Sequence, residues 1–302
     1  MKSINLFYYG DQDFVRELAK KGTESDITVY NRKTDEVIFT VIAPSKFPDK
    51  LSSLTDSIGP ADAAIIRAGS MDRNLGEVIM ALDLMGISQG IVSAEPTISD
   101  QISKILSSTS LSGYNVGNFT ASQVIEIASG FSHRKQGAGN SVLVDHFFTV
   151  RSVGSVALGF VISGEVHRHQ DLFTNYGGKK VQIRSIQMQD VDIDQAAEGS
   201  RVGLALKGID TDELERGMIL SDHPVNPERE LSGTVRYHPA AKSPVENGSE
   251  IFMASSMRFQ RGTISGNTIM MDSGICLLDG KGIVCSQRLV PRVRGIFTES
   301  RR

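Results

Sequence analysis

Three residues that follow a buried strand near the N-terminus decide whether this chain can bind a nucleotide phosphate in a P-loop. The apolar run Ile4–Tyr9 is followed by Gly10 and an amphipathic helical pattern, which is how a phosphate-binding loop begins. A G-x-x-x-x-G-K-[ST] loop that opens at Gly10 requires glycine, lysine and Ser or Thr where this chain has Val15, Arg16 and Glu17. The sequence therefore predicts a degenerate loop at Gly10 and Arg16 that binds no nucleotide.

The start of the same helix carries two acidic residues where a phosphate would have to bind. Asp11 and Asp13 lie at the helix N-terminus, where backbone N–H groups and the helix dipole attract anions. We expect these carboxylates to cap the helix and to repel phosphate. Two independent features thus argue against a phosphate site.

A pair of histidines separated by one residue is the strongest candidate for a metal site. His167 and His169 would lie on one face of a strand, and Asp171 follows two residues later. A third convincing ligand is missing, and such a pair is more often part of a solvated turn, so we predict no metal here. The serines and helix acids lack the spacing of a nucleophile and its base, so we predict no catalytic residue and no enzymatic activity.

Arginines provide the remaining candidate chemistry, which is contact with RNA phosphates. The formal net charge of −3 offers no bulk attraction for nucleic acid, so binding would depend on local cations, and we expect no DNA partner. Arg258 and Arg261 in MRFQRG are candidates by charge and position. A second cluster, near the end of the sequence, contains one acid, Glu299, and five arginines: Arg288, Arg292, Arg294, Arg301 and Arg302. These arginines either contact phosphates or form a solvated strand end, and both interpretations remain open.

Length and composition indicate a globular chain of several domains. With 302 residues the chain exceeds what one hydrophobic core usually supports, so we expect two or three domains. Apolar residues make up 40% and charged residues 22%, and the sequence has neither a membrane-span-length apolar run nor a signal-peptide pattern. We therefore predict a cytoplasmic protein with no membrane partner. Cys276 and Cys285 are expected to be reduced core thiols.

Strands and helices alternate over residues 1–138, which predicts an α/β domain with a parallel sheet covered by helices. Periodic apolar positions predict helices over Asp72–Leu84 and Ala121–Ala128. The glycine-rich segment 130–140 is typical of a linker. Apolar runs predict four strands, at Ile4–Tyr9, Val37–Ile42, Ala61–Arg67 and Ile87–Ser93.

The remaining residues have the pattern of two all-β domains. From Asp145 to Leu220 short β-branched runs are interrupted by glycines, which favours a small closed barrel without unpaired strand edges. Pro224 and Pro227 interrupt the pattern, and a second set of short strands follows them. The predicted domains are therefore an α/β domain over 1–138, a barrel over 141–222 and a second barrel over 223–302.

Three segments of the first barrel resemble a known family. The runs VGSVALGFVISG, IRSIQMQDVDIDQAAEGSRVGLALKGI and DELERGMIL are similar to the second domain of the EF-Tu group of translational GTPases. They most resemble SelB-like elongation factors of archaeal type, close to the EF-Pyl-like branch. The resemblance implies an α/β P-loop-NTPase-like domain, here lacking the P-loop motif, followed by two all-β barrels that correspond to EF-Tu domains 2 and 3.

The resemblance also implies nucleotide signatures from which this chain departs. The family's D-x-P-G, whose Asp holds magnesium and whose Gly contacts a phosphate, has Ile42 and Ser45 at these two positions. The guanine-reading N-K-x-D is replaced by AEPT at residues 94–97. The segment KKGTESDITVYN resembles switch I, and Thr23 is either its magnesium-contacting threonine or a turn threonine. GTP and Mg²⁺ are expected in the family, but here we predict a pseudo-GTPase without a cofactor.

The resemblance further implies a binding site for the aminoacyl group of tRNA. In the EF-Tu group the matching segment lines that pocket, and here it contains Gln187, Met188, Gln189 and Asp190. The amides offer donors and acceptors to an ester or amide, and Met188 offers an apolar wall. The alternative is that Gln187 and Gln189 form only the exposed face of a barrel strand, and both interpretations remain open.

These observations lead to one main functional hypothesis and two alternatives. The resemblance implies an elongation factor homologue that binds aminoacyl-tRNA or the ribosome without hydrolysing GTP itself. One alternative is a regulatory or structural paralogue that binds a protein partner. The other is an α/β domain that binds a different small ligand at the carboxyl ends of its strands.

Overall fold

The computed structural model describes residues 1–134 and 136–300, which fold into an α/β unit and two β-barrels. Arg301 and Arg302 of the predicted arginine cluster lie outside the described residues. The longest described helix has 13 residues, and none of the described helices is both long and apolar enough to cross a membrane. The α/β unit consists, in order, of β1 (Lys2–Tyr9), α1 (Gln12–Leu18), β2 (Lys20–Glu24), β3 (Thr28–Lys33), β4 (Val37–Ala43), α2 (Leu51–Ile58), β5 (Ala63–Ala68), α3 (Arg73–Met85), β6 (Gly90–Ala94), α4 (Pro96–Leu106), β7 (Asn115–Gly117) and α5 (Ala121–Ser129).

The sheet of the α/β unit has the strand order β2-β3-β4-β1-β5-β6-β7. Strands β4, β1, β5, β6 and β7 are parallel, which confirms the predicted helix-covered parallel sheet. The hairpin β2–β3 adds two antiparallel strands at one edge. Strand β1 is buried on both faces, because Leu6 and Tyr8 pack toward α1 and α5 whereas Phe7 packs toward α2 and α3.

The first barrel closes into a ring, as its glycine-punctuated pattern predicts. Strand β11 pairs with both β12 and β16, so the sheet order β11-β16-β8-β9-β15-β12 returns to its start. Glycine is required at Gly159, because a Cβ there would lie 2.6 Å from the carbonyl oxygen of Leu143 on the neighbouring strand. The strands are β8 (Ser141–Val150), β9 (Gly154–Ser163), β10 (Glu165–His167), β11 (Asp171–Thr174), β12 (Lys180–Met188), β13 (Val191–Ile193), β14 (Gln195–Ala197), β15 (Arg201–Lys207) and β16 (Ile219–Ser221).

The second barrel is also closed, with the strand order β17-β20-β19-β18-β21-β22. Apolar side chains alternate with exposed ones along its strands, and Leu231, Ile251, Met253 and Phe297 are among those that fill its interior. The strands are β17 (Glu228–Tyr237), β18 (Glu250–Ser255), β19 (Arg258–Ser265), β20 (Thr268–Ile275), β21 (Lys281–Cys285) and β22 (Val293–Glu299).

Two hydrophobic cores cross the boundaries between the three units. One joins α2 and α3 of the α/β unit to the outer face of the second barrel, where Ile283 and Val293 are buried. The other brings together Ile27 of the α/β unit, Phe160 of the first barrel and Cys276 of the second. The three units are therefore joined by continuous apolar packing.

Candidate functional site

A polar cleft of about 440 Å³ lies between the hairpin β2–β3 and the first barrel. The hairpin contributes Lys20, Lys21 and Thr23 to its lining, and strand β15 contributes Arg201. Three of the four residues predicted to contact an aminoacyl group also line it: Gln187, Gln189 and Asp190. The chain segment that resembles switch I and the segment that resembles an aminoacyl pocket thus face each other across one cleft.

The fourth predicted pocket residue, Met188, requires a correction. It is not among the residues that line the cleft, because successive side chains of a strand lie on opposite faces and its neighbour Gln187 faces the cleft. Leu158 of β9 provides an apolar side chain of the lining instead, whereas Val202 of β15, although it borders the cleft, packs its side chain into the core of the barrel. Both residues lie in the glycine-interrupted strand segments that carry the family resemblance, and this was the signal in the sequence that could have identified them.

A tight turn presents the two central polar residues at the edge of the cleft. Met188 pairs with Val191, so β12 and β13 are joined by Gln189 and Asp190 alone. Both turn residues have positive φ, of 52° and 60°, which is the conformation of a two-residue hairpin turn and is rare for glutamine. Gln187 is exposed, and its Nε2 donates to Asp192 Oδ1 at 2.9 Å across the hairpin.

Arg201 connects the two walls of the cleft. Its Nη2 donates to Thr23 Oγ1 at 3.2 Å and to Asp145 Oδ2 at 2.8 Å, and its guanidinium lies 5.7 Å from the centroid of the Phe160 ring. Its buried Nε has no hydrogen-bond partner among the described atoms. Thr23, the predicted switch residue, therefore accepts a hydrogen bond from the barrel. Sequence reasoning missed Arg201, although it lies within the quoted motif GSRVG.

The lining of the cleft is more cationic than acidic. Lys20, Lys21 and Arg201 are cationic, whereas Asp190 is the one acid among the described lining residues. Lys21 Nζ bonds to Glu24 Oε2 at 2.6 Å, and this hydrogen bond lowers the pKa of the Glu24 carboxyl. The cleft therefore offers donors and positive charge to a ligand that is anionic or rich in acceptors.

A second cleft, of about 400 Å³, lies at the carboxyl ends of β1, β5 and β6. Gly10, Asp11, Asp72 and Glu95 are among its lining residues. Asp11 Oδ1 accepts from the Phe14 N–H at 2.7 Å, and Asp72 Oδ1 accepts from the Leu75 N–H at 2.8 Å, so carboxylates cap α1 and α3 as predicted for Asp11. Glu95 is the residue directly before α4.

Arg16 lies away from this second cleft. Its guanidinium bonds to Asp13 Oδ1 at 3.2 Å and Gln12 Oε1 at 3.3 Å on the exposed side of α1. Gly10 is nevertheless needed here, because a Cβ at this position would lie 2.5 Å from Arg67 Cβ. The loop after β1 thus approaches β5 closely at Arg67, which is the one cation among the described residues that line this second cleft.

The structure corrects the prediction that Arg292 and Arg294 contact phosphate. Arg292 binds the fully buried Glu77 of α3 with its backbone N–H at 2.6 Å and its Nη2 at 2.6 Å. Arg294 is 1% exposed, and its Nη2 donates at 2.6 Å to the carbonyl oxygens of both Ala241 and Ser243. Because their donors are used inside the protein, these arginines hold structural elements together.

Arg258 and Arg261 have different environments. Arg258 joins the two barrels, because it bonds to Glu215 and lies 4.4 Å from the centroid of the Tyr176 ring. It is therefore also a structural residue, contrary to the phosphate-contact prediction. Arg261 has a side chain that is 60% exposed and pairs with Asp272 at 2.5 Å, so it can reach solvent but carries its own counter-charge.

The histidine pair lies where β10 turns into β11. His167 Nε2 is 3.3 Å from Glu165 Oε1, and His169 has a φ of 68° in the turn. Within residues 1–134 and 136–300 no group of three His, Cys, Asp or Glu side chains could hold a metal ion.

Comparison with known proteins places the cleft in a family context. The family model described as elongation factor Tu domain 2 matches residues 154–221. An uncharacterized protein of Methanocaldococcus jannaschii is 36% identical over 251 residues, which are 82% of this chain and 82% of that protein. Elongation factor 1-alpha of Saccharolobus solfataricus is 24% identical over 71% of this chain and 60% of that protein. The selenocysteine-specific elongation factor of M. jannaschii is 23% identical over 69% of this chain and 50% of that protein.

Solved structures agree with this comparison at the level of the fold. Elongation factor SelB of Methanococcus maripaludis, in complex with the GTP analogue GPPNHP, has a TM-score of 0.83 at 18% identity, over 99% of this chain and 80% of that one. A bacterial selenocysteine-specific elongation factor has a TM-score of 0.83 at 15% identity, over 99% of this chain and 58% of that one. The chain thus spans three fifths or less of the two named elongation factors that match its sequence.

Proposed function

We propose that this chain, which belongs to the SelB-like family of translation elongation factors, binds aminoacyl-tRNA in the polar cleft without using GTP. One observation carries this proposal. Gln187, Gln189 and Asp190, which match the family's aminoacyl pocket, line a cleft whose opposite wall is the hairpin β2–β3. Membership of this family also supports the ribosome as a second proposed partner.

The size and chemistry of the cleft fit the acceptor end of a charged tRNA. A volume of about 440 Å³ lies within the range of small-molecule pockets, so an esterified amino acid and part of its terminal nucleotide can enter. The amide of Gln189 both donates and accepts, which suits an ester and a free α-amino group. The exposed Lys20 supplies the positive charge that a nearby phosphate requires, because the guanidinium of Arg201 is already paired with Asp145.

The second cleft supports the part of the proposal that concerns GTP. Asp11, Asp72 and Glu95 bring three carboxylates to this cleft against one cation, Arg67, among its described lining residues, and two of these carboxylates already occupy N–H groups of helix starts. A charge-assisted hydrogen bond contributes about 1.5–3 kcal/mol, so losing the P-loop lysine and several N–H contacts weakens binding by orders of magnitude. We therefore propose a translation factor homologue without GTPase activity.

The test is whether Gln187→Ala and Gln189→Ala reduce the discrimination between aminoacylated and deacylated tRNA. Filter binding should show that the ratio of the two Kd values falls roughly two- to tenfold, because each amide contributes about 0.5–1.5 kcal/mol. The salt dependence should stay nearly unchanged, since an amide neutralises no phosphate.

Gln182→Ala is the matched control for this test. Gln182 lies on the same strand, but its Nε2 bonds to Asp171 Oδ1 at 3.2 Å, and Gln182 is not among the residues that line the cleft. The control should leave the ratio of Kd values unchanged. Equal effects of all three variants would show that the amides of β12 act on the barrel's stability and do not contact the ligand.

A further inference from the structure

One residue of the first barrel, Asp145, binds two arginines that both reach the hairpin β2–β3. Its carboxylate accepts from Arg201, and its backbone carbonyl oxygen accepts from Arg216 Nε at 3.1 Å. Arg201 also donates a hydrogen bond to Thr23 on strand β2, and Arg216 also donates hydrogen bonds to the turn that follows β2. The hairpin is therefore attached to the barrel at two points along its length.

Arg216 uses all three of its nitrogens at this junction. While Nε donates to Asp145, Nη1 donates to Asp26 Oδ1 and Nη2 donates to Ser25 Oγ at 2.7 Å. Lys50 binds the other carboxylate oxygen of Asp26 at 2.6 Å. Burial by itself would raise the pKa of Asp26, but the hydrogen bonds from Arg216 and Lys50 outweigh it and lower that pKa far below its usual value.

The hairpin depends on these contacts because its own sheet supports it on one side only. Strand β2 is the edge strand, pairs with β3 alone, and has an irregular register between Lys21 and Glu24. Its residues are mostly exposed. Edge segments with few buried apolar contacts open locally at low free energy unless something else holds them.

We propose that Arg216 is a positioning residue that fixes the hairpin β2–β3 as a wall of the cleft, so that the cleft is already formed in the protein free of any ligand or nucleotide. A guanidinium is charged at every physiological pH, and its planar fork matches the carboxylate of Asp26 and the neighbouring hydroxyl. The side chains of Arg216 and Asp26 are 22% and 13% exposed, so solvent screens their contact only partly. The hydrogen-exchange test of this inference does not depend on the proposed function, and only the tRNA titration that accompanies it rests on that function.

The experiment is hydrogen exchange of the full chain, followed by mass spectrometry without any added ligand and again with GTP and Mg²⁺. The wild-type peptide that covers residues 20–27 should be protected, and GTP should not change its exchange. Arg216→Ala should accelerate exchange in this peptide about tenfold or more, because it removes hydrogen bonds to a charged group. Protection in strand β9 of the barrel interior should remain as in the wild type.

Three further variants make the result specific. Arg216→Lys keeps the charge but not the fork, so it should recover part of the protection. Asp26→Asn removes the charge that Arg216 and Lys50 contact and leaves one amide oxygen as an acceptor, so it weakens the same contact from the hairpin side and serves if Arg216→Ala does not fold. Arg168→Ala is the matched control, because Arg168 is a half-exposed arginine of the same barrel that bonds to the Arg184 carbonyl oxygen. It should leave the hairpin unchanged.

Two outcomes would overturn the inference. The first is an unprotected hairpin in the free wild-type protein, or protection that appears only with GTP. The second is unchanged hairpin exchange in both Arg216→Ala and Asp26→Asn. A tRNA titration of the same variants separates this inference from the proposed function. Accelerated hairpin exchange in a protein that never binds tRNA would keep Arg216 as a positioning residue and reject the RNA ligand.

Discussion

Replacing Asp56 with asparagine should remove a large part of the pH dependence of this protein's stability. Asp56 lies on α2, is 5% exposed, and has no hydrogen-bond partner for Oδ1 among the described atoms. Arg216 Nη1 lies 4.0 Å from its Oδ2, but that guanidinium directly contacts Asp26. Burial therefore raises the pKa of Asp56 to about 7, with Arg216 opposing the rise and Asp26 adding to it.

The size of the effect follows from the two pKa values. The carboxyl titrates at 3.8 in its unperturbed state and at about 7 in the folded protein. Between these two pKa values the folded state binds more protons than the unfolded state. The contribution of the Asp56 carboxyl to the free energy of unfolding is therefore fully present below about pH 4 and is lost as the pH rises through 7. A shift of about three pKa units at about 1.36 kcal/mol each corresponds to about 4 kcal/mol. Asparagine resembles the neutral carboxyl and should avoid this loss.

Urea unfolding of the wild type and Asp56→Asn at several pH values from 4 to 8 measures the effect. The free energy of unfolding of the variant, relative to the wild type, should rise by up to about 4 kcal/mol across this range. Asp49→Asn is the control for the substitution itself, because Asp49 is exposed and lies just before the same helix. Parallel pH profiles for the wild type and Asp56→Asn would refute the reasoning and show that Asp56 stays ionised beside Arg216.

Two other predictions concern the second barrel and the nucleotide. Arg292→Ala leaves the fully buried carboxylate of Glu77 without its bidentate partner, so urea unfolding should show a loss of about 3–5 kcal/mol, while the salt slope of tRNA binding stays the same. A reduced salt slope would instead restore Arg292 as a phosphate contact. A titration of fluorescent guanine nucleotide with Mg²⁺ should not saturate at low micromolar concentration, because Asp11 and Asp72 occupy helix N–H groups at the second cleft. Saturation in that range would contradict the loss of nucleotide binding.

Local patterns were sufficient to predict the barrels and four of the five parallel strands, whereas the three-residue strand β7 was not predicted. Glycine-interrupted β-branched runs predicted a closed barrel, and a close approach such as that of Gly159 to Leu143 is the physical reason for the glycines. Helix α2 (Leu51–Ile58) was not predicted. Its sequence LSSLTDSI is rich in serine, and all of its residues are buried, so it has no exposed polar face that would reveal a helical period. Packing against α3 and the second barrel stabilises it.

The candidate site was predicted only in part, because a cleft between units depends on contacts far apart in sequence. The segment Gln187–Asp190 was identified from the family resemblance, but its opposite wall begins at Lys20. The arginines illustrate the same limit. Local charge made phosphate contact one of two open interpretations of Arg292, whereas its partner Glu77 lies 215 positions earlier in the chain. A count of charges along the sequence cannot show which of them are neutralised by folding.

The central claim is that this chain recognises aminoacyl-tRNA without a nucleotide. Filter binding of the wild-type protein to aminoacylated and deacylated tRNA, without nucleotide and with GTP and Mg²⁺, tests it directly. We expect aminoacylated tRNA to bind about tenfold more tightly or better, which corresponds to about 1.4 kcal/mol from the contacts in the cleft, and we expect the same ratio with GTP. Equal affinities for the two tRNAs, or a preference that appears only with GTP, would contradict the claim.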